Sequence, residues 1–193
     1  LLEDADGNVY KTVKIGNQRW MAENMRTTKN KSGNPITLVT DNSLWVNTNN
    51  PAYCWYDNDS LNNSKYGALY NYDAAQTICP TGWHLPSLNE WMTLSNYSGL
   101  YSGGKLKEVG TSHWNSPNTG ATNESNFTAL PSGLRTSFDG TFWNLSQSAF
   151  FYTSTIDYLN YFQYIFELHY DSADFNSDTY PENTGASVRC IKD

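Results

Sequence analysis

The stretch Cys79-Pro80-Thr81-Gly82-Trp83-His84-Leu85-Pro86-Ser87-Leu88-Asn89-Glu90-Trp91 joins a helix stop, a short extended run and a helix start. Pro80 lacks an amide hydrogen and clashes with the turn before it, and Gly82 tolerates the left-handed backbone that follows a helix end. Trp83-His84-Leu85 is then a short extended piece. Ser87 with Glu90 three residues on forms a capping box, and Leu88, Trp91 and Leu94 recur at helical spacing behind it. Upstream, residues 66–78 place Leu69, Tyr72 and Gln76 on one side of a helix. Ala68, Ala74 and Ala75 fall where close packing is needed, so the spacing predicts a helix that ends at Cys79. Helix, short strand and helix thus occupy 66–97.

On the N-terminal side, Asp6-Gly7-Asn8 is turn chemistry, Val9, Lys11 and Val13 alternate with Tyr10, Thr12 and Lys14, and Ile15-Gly16-Asn17-Gln18 offers a second turn. The oxygens of Asp4, Asp6 and Asn8 also imitate the start of a calcium loop. The further ligands and closing Glu of an EF-hand are missing, so a hairpin turn is expected. Residues 27–50 are rich in Asn, Thr, Ser and Gly and read as a long surface loop, because Tyr53 to Tyr56 restarts the core directly after it. On the C-terminal side no strong period survives from 99 to 149, where Pro131-Ser132-Gly133 and Asp139-Gly140 are turns. So long an irregular stretch is either functional or conceals short strands. Phe162, Tyr164, Phe166, Leu168 and Tyr170 then alternate with Gln163, Glu167 and His169 as a half-buried strand does, and Ser187 to Ile191 closes the chain with Val188 and Cys190 on one face. The expected architecture is a single α+β domain over 1–193. It comprises N-terminal strands and loop (1–60), two helices (61–98), a long loop region (99–149) and C-terminal strands (150–193), with the helices packed on antiparallel sheets.

The 193 residues include 29 aromatics, only 16% are charged, and about a third are Asn, Ser or Thr. That many large apolar side chains can fill a core, which excludes a disordered chain. The net charge of -7 with no basic cluster excludes a nucleic-acid partner, and no apolar run reaches the length of a membrane span. The chain opens on Leu1-Leu2-Glu3 without Met and reads as a trimmed piece of something longer. Cys54, Cys79 and Cys190 lack the spacing of a zinc or thioredoxin motif, and one disulfide plus one free thiol is the simplest count. Few charges, many Asn and Tyr and a long-range bridge favour an exported protein.

For catalysis, His84, His113 and His169 sit in no nucleophile motif and form no local metal chelate, and no carboxylate pair stands out as a glycosidase's. His84 reads as a structural residue inside the core and His169 as an exposed one. The chemically richest segment is the long loop, where Trp114, Asn118, Asn126, Arg135, Trp143 and Asn144 are the candidate ligand-binding residues. Sugars present apolar ring faces and vicinal hydroxyls, which suit flat aromatic platforms edged by amides that both donate and accept. Antibody paratopes combine rigid aromatics with small polar residues in the same way, so a protein ligand fits too. No cofactor and no metal are expected.

Several ordered motifs resemble one family. They are Asp6-Gly7-Asn8-Val9-Tyr10-Lys11-Thr12-Val13-Lys14-Ile15-Gly16, Gln18-Arg19-Trp20-Met21-Ala22-Glu23-Asn24, Tyr53-Cys54-Trp55-Tyr56, Tyr66-Gly67-Ala68-Leu69-Tyr70-Asn71 and the Cys79 to Trp91 stretch. Gly103-Gly104-Lys105-Leu106-Lys107, His113-Trp114-Asn115, Phe127-Thr128-Ala129-Leu130-Pro131 and Ser187-Val188-Arg189-Cys190-Ile191 complete them. Together they resemble the Fibrobacter succinogenes major paralogous domain. That resemblance implies an exported or outer-membrane surface protein of Fibrobacter or Bacteroidetes type, a lipoprotein with an anchor on its precursor or an adhesin-like chain, with no assigned activity.

The middle segment also resembles the C-type lectin-like fold, in which a helix ending in Cys, a strand bearing His-Leu and a helix bearing Glu follow one another. The resemblance implies a Cys79–Cys190 disulfide and a free, buried Cys54. The calcium-binding lectins' Glu-Pro-Asn and Trp-Asn-Asp strings are replaced by Ser116-Pro117-Asn118 and Trp143-Asn144-Leu145, so any sugar binding is expected to be metal-independent. The cysteine pair of formylglycine-generating enzymes, which share the broad fold, is likewise missing. The expected function is a non-catalytic surface domain for adhesion or for capture of a glycan or protein ligand. The alternatives are an architectural module of a fimbria-like assembly and an enzyme acting on a surface or dietary polysaccharide. Asp59-Ser60-Leu61 and Asp171-Ser172-Ala173 match the Asp-Ser/Thr-apolar pattern of Bacteroidetes O-glycosylation.

Overall fold

In the computed structural model, which describes residues 2–193, Asp4 builds the first turn. Its carboxylate accepts hydrogen bonds from the backbone N–H of Asp6 and Asn8, both at 2.9 Å, and from the Tyr10 hydroxyl. Asp6 is engaged by Thr28 and by Lys29 at 3.1 Å. These oxygens therefore hold a hairpin of β1 (Leu2–Glu3) and β2 (Val9–Tyr10), as the turn chemistry predicts. A second hairpin, β3 (Thr12–Ile15) and β4 (Gln18–Met21), turns at Gly16, where φ is +59° and a β-carbon would lie 2.9 Å from the Tyr97 ring.

The segment 27–50 is more ordered than its composition suggests. It contains β5 (Thr37–Leu38) and the short helix α1 (Asn42–Val46), capped by Asp41, which sinks Trp45 completely into the interior. After β6 (Ala52–Cys54), the helix expected over 66–78 does not form. Helix α2 (Leu61–Tyr66) stops at Gly67, whose φ is +77° and where a β-carbon would lie 2.6 Å from the Met25 carbonyl. The chain runs on as β7 (Leu69–Tyr70), paired with β6 and bridged to Ala186, before Asn71 caps the single turn α3 (Tyr72–Ala75). Leu69, Tyr72, Ala74 and Ala75 are all buried even so. A segment enclosed on every side carries the same apolar residues as a helical stripe, and periodicity alone does not separate the two. Beyond it, β8 (Trp83–His84) and α4 (Leu88–Ser98) follow the predicted order, with both halves of the Ser87/Glu90 capping box present.

The long loop region holds α5 (Ser102–Leu106) and the hairpin of β9 (Ser132–Arg135) and β10 (Phe142–Leu145). Then come β11 (Ser148–Asp157), β12 (Phe162–His169), β13 (Asn176–Tyr180) and the last strand β14 (Ile191–Lys192). The chain is thus α+β and mostly sheet. The largest sheet has the order β10-β9-β11-β12-β13, and a four-stranded one has the order β3-β4-β14-β8. Most pairs are antiparallel; β5–β6 and β9–β11 are parallel. The predicted alternation of β12 meets a correction, since Gln163, Ile165 and Glu167 on the supposedly polar face are buried along with Phe166 and Leu168. β12 is an interior strand, and core clusters on either side of it claim both faces.

One of these clusters contains the Cys79–Cys190 disulfide, which ties the segment between α3 and β8 to the residue just before β14. The other is aromatic, with Trp20 and Trp91 centroids 4.6 Å apart and Phe127, Phe151 and Phe166 around Trp91. Cys54 is free and buried, and burial pushes its thiol up to about 12, away from thiolate chemistry.

Candidate functional site

Three of the six sequence-chosen residues are buried and spend their polar groups on the protein's own carbonyls. Trp114 is 1% exposed, donates its indole N–H to the Ala129 carbonyl at 3.0 Å and lies beneath the Lys107 ammonium. Asn118 is buried, its amide donating to the carbonyls of Glu108 and Gly110 at 2.8 and 2.6 Å. Arg135 spreads its guanidinium over the carbonyls of Gly140, Val39 and Thr40 between the rings of Trp45 and Phe142. An irregular segment enclosed by protein must satisfy its own carbonyls, and here long donors do so. Lys107 plays the same part, giving hydrogen bonds to Thr119, His169 and Ser172 carbonyls while burial pulls its pKa down to about 8. Of the others, Asn126 and Asn144 sit in left-handed turns, and Trp143 presents an exposed ring on β10.

The strand register brings together a different set. β9 and β11 run parallel, so residues 136–141 after β9 and residues 158–161 after β11 emerge at one end of the five-stranded sheet. Tyr180 of β13 lies opposite Gln163 of β12, which delivers residues 181–183 to the same end. Between these three loops opens a cleft of about 550 Å³ lined by Ser137, Phe138, Asn160, Tyr161, Phe162, Pro181, Glu182 and Asn183. Phe138 is 92% and Tyr161 77% exposed, and Phe162 stands beside them. Tyr161 has φ +57°, a left-handed conformation that costs a bulky residue about 1–2 kcal/mol. The hairpin is held there by Asp157, whose carboxylate accepts from Leu159 N–H at 3.0 Å and the Asn160 amide at 2.7 Å, and whose carbonyl accepts from Tyr161 N–H at 2.8 Å. Asp139 organises the opposite loop, taking hydrogen bonds from Thr136 and Thr141 that pull its carboxyl down to about 2.

The profile of the Fibrobacter succinogenes major domain matches residues 13–192. The chain belongs to that family. Searches of curated proteins and of solved structures give no match. The matched span of this Fibrobacter succinogenes major domain takes in every element from β4 onward, the disulfide and all three loops of the cleft.

Charge is distributed unevenly over the Fibrobacter succinogenes major domain. Residues 136–188 contain seven acidic residues and no Lys or Arg, whereas the remainder holds twelve of each sign. The entire net charge of -7 therefore resides in the segment that builds most of the large sheet and its loops.

One further cluster has the composition of a nucleophilic site. Ser148 Oγ lies 2.9 Å from His169 Nδ1, His169 Nε2 lies 3.0 Å from Glu167, and Tyr180 donates to the same carboxylate at 2.5 Å. His169 is thus half-buried and bonded on both nitrogens, a correction to its expected exposure. Acyl-transfer triads place the acid on Nδ1 and the nucleophile on Nε2, the reverse of this order. Ser148 is also only 3% exposed, so a substrate carbonyl does not reach it in this conformation. Among the described residues no group of three or more His, Cys, Asp or Glu is placed to share a metal ion. His84 is a second correction: it stands half-exposed between Asp193 and Glu90, at 2.6 and 2.9 Å, and not inside the core.

The cleft escaped the sequence because its lining comes from three distant segments and its rings from two of them. Its one local signal is the presence of large apolar residues inside turns, Phe138 before Asp139-Gly140 and Tyr158-Leu159-Asn160-Tyr161 between two strands.

Proposed function

We propose that this domain is a non-catalytic, exported surface module that captures glycan, without a metal ion, in the cleft at the end of the five-stranded sheet. The observation that carries the reading is the convergence of Phe138, Tyr161 and Phe162 with Asn160, Asn183 and Ser137 around one open cleft. Flat rings suit the apolar faces of sugars, and the amides and hydroxyl suit their edges. The disulfide favours an oxidising compartment and hence export. A C-type lectin-like arrangement is consistent with the Cys79–Cys190 bridge and with the order α3, β8, α4.

A glycan array probed with the wild type and with Phe138→Ala plus Tyr161→Ala tests this. The double variant should lose about tenfold or more in affinity, about 1.4 kcal/mol, with its melting temperature unchanged because both rings are exposed. An identical array profile for variant and wild type overturns the cleft as the site. A second reading, an architectural module docked on a protein neighbour, is favoured by Tyr158 and Leu159, which are exposed at the same hairpin outside the cleft lining.

A further inference from the structure

We propose that the cleft is built for a glycan carrying protonated amines, an amino-sugar polymer with free amino groups, and that it turns away uronic-acid polymers. This rests on the reading of the cleft as a glycan site and concerns which glycans enter it.

The cleft's lining supplies rings and a carboxylate but no cation. Glu182 stands in its wall, exposed and without an ion pair among the described residues. The loop 136–141 facing it carries Asp139 and the end of β11 carries Asp157, and the hydrogen bonds of both carboxylates come only from neutral hydroxyl, amide and backbone donors. The nearest arginine in sequence, Arg135, is fully buried with its guanidinium turned onto carbonyls, so it offers nothing to an anion in the cleft. Of the other four acidic residues of 136–188, Asp178 on β13 adds the same sign to the sheet, while Glu167 is paired with His169 and Asp171 faces Lys107.

An ammonium against the face of Phe138 or Tyr161 gains from the ring quadrupole, and within a Debye length of Glu182, Asp139 and Asp157 it gains again from charge. A uronate meets the same rings and the same carboxylates with repulsion. A neutral N-acetylated sugar keeps the stacking and loses the charge, which places it between the two.

The purified 193-residue chain is titrated calorimetrically with a glucosamine oligomer, its N-acetylated counterpart and a galacturonate oligomer, at about pH 5.5, where sugar amines are protonated and carboxylates ionised. The expected order of affinity is amine, then N-acetyl, then uronate, with the amine's advantage shrinking as salt rises from about 0.05 to about 0.5 M. Glu182→Gln, at an exposed position, should weaken the amine oligomer about fivefold and narrow its advantage over the N-acetylated oligomer. Equal affinity for the amine and N-acetylated oligomers, or tighter binding of the uronate, overturns the charge selection and leaves glycan capture standing. Failure of all three oligomers to bind overturns both. Displacement of the amine oligomer by an oligolysine at equal charge concentration, with equal or greater affinity for the peptide, moves the site to basic protein segments and overturns the proposal.

Discussion

His84 sits between two carboxylates, with Asp193 on Nδ1 and Glu90 on Nε2. Burial lowers its pKa, but the two hydrogen bonds and their charges outweigh that and hold the imidazolium above the usual value of 6.5. The same contact, with the Ser87 hydrogen bonds, holds Glu90 below its usual range against the opposing effect of burial. A folded pKa above the unfolded one means that the ion pair stabilises fully below about pH 6.5 and loses its effect as pH rises through the folded value. The depressed Glu90 sets the acidic limit, its contribution falling away as pH drops through its lowered pKa. The melting-temperature difference between wild type and His84→Gln should therefore be larger at about pH 5.5 than at about pH 8.5. The gain is under about 1 kcal/mol, since the His84 side chain is 42% exposed. A difference that grows with pH would contradict this geometry.

The capping box is the element-scale counterpart. Ser87 accepts from Glu90 N–H while both Ser87 donors reach the Glu90 carboxylate at 2.8 Å, so the first turn of α4 is closed from both ends. Ser87→Ala should cost about 1 kcal/mol, a fall of about 2–4 °C in melting temperature for a chain of this size, read by calorimetry. Residue pairs three apart are visible in a sequence, which is why this helix, the hairpin at Gly16 and the short strand at Trp83 were legible. The segment 66–78 was not, because its breakers act through tertiary contacts: Gly67 is forced open by the Met25 carbonyl, and Tyr70 is claimed by Ala186. Three of the six chosen site residues, Trp114, Asn118 and Arg135, are buried in the framework for a related reason. Trp114 and Arg135 have the composition of a binding surface, yet the long loop needs such side chains to bond its own carbonyls. An aromatic in a loop reads alike whether it plugs the core or faces solvent, and only the parallel β9–β11 register reveals that Phe138 and Tyr161 meet.

For the whole molecule, the Cys79–Cys190 bridge closes a loop with a sequence separation of 111. Restricting so long a loop in the unfolded chain stabilises the fold by up to about 4–5 kcal/mol on chain-entropy grounds. Cys79→Ala with Cys190→Ala should lower the denaturant-unfolding free energy by a large part of that amount, and a loss below about 1 kcal/mol would show that the reduced chain is already ordered there.

β14 lies between β4 and β8, and the backbone N–H groups of Met21 and Met25 donate to the carbonyls of Cys190 and Val188. The fourth strand and the last strand of the chain are thus bonded directly to each other. Tension applied at the two ends is borne first by the β4–β14 seam and behind it by the Cys79–Cys190 bond, which bypasses residues 80–189. The large sheet and its hairpins lie within that bridged span and stay unloaded, so a domain strung in series along a stretched fibre would keep its cleft shape even after the seam shears, for as long as the disulfide is intact.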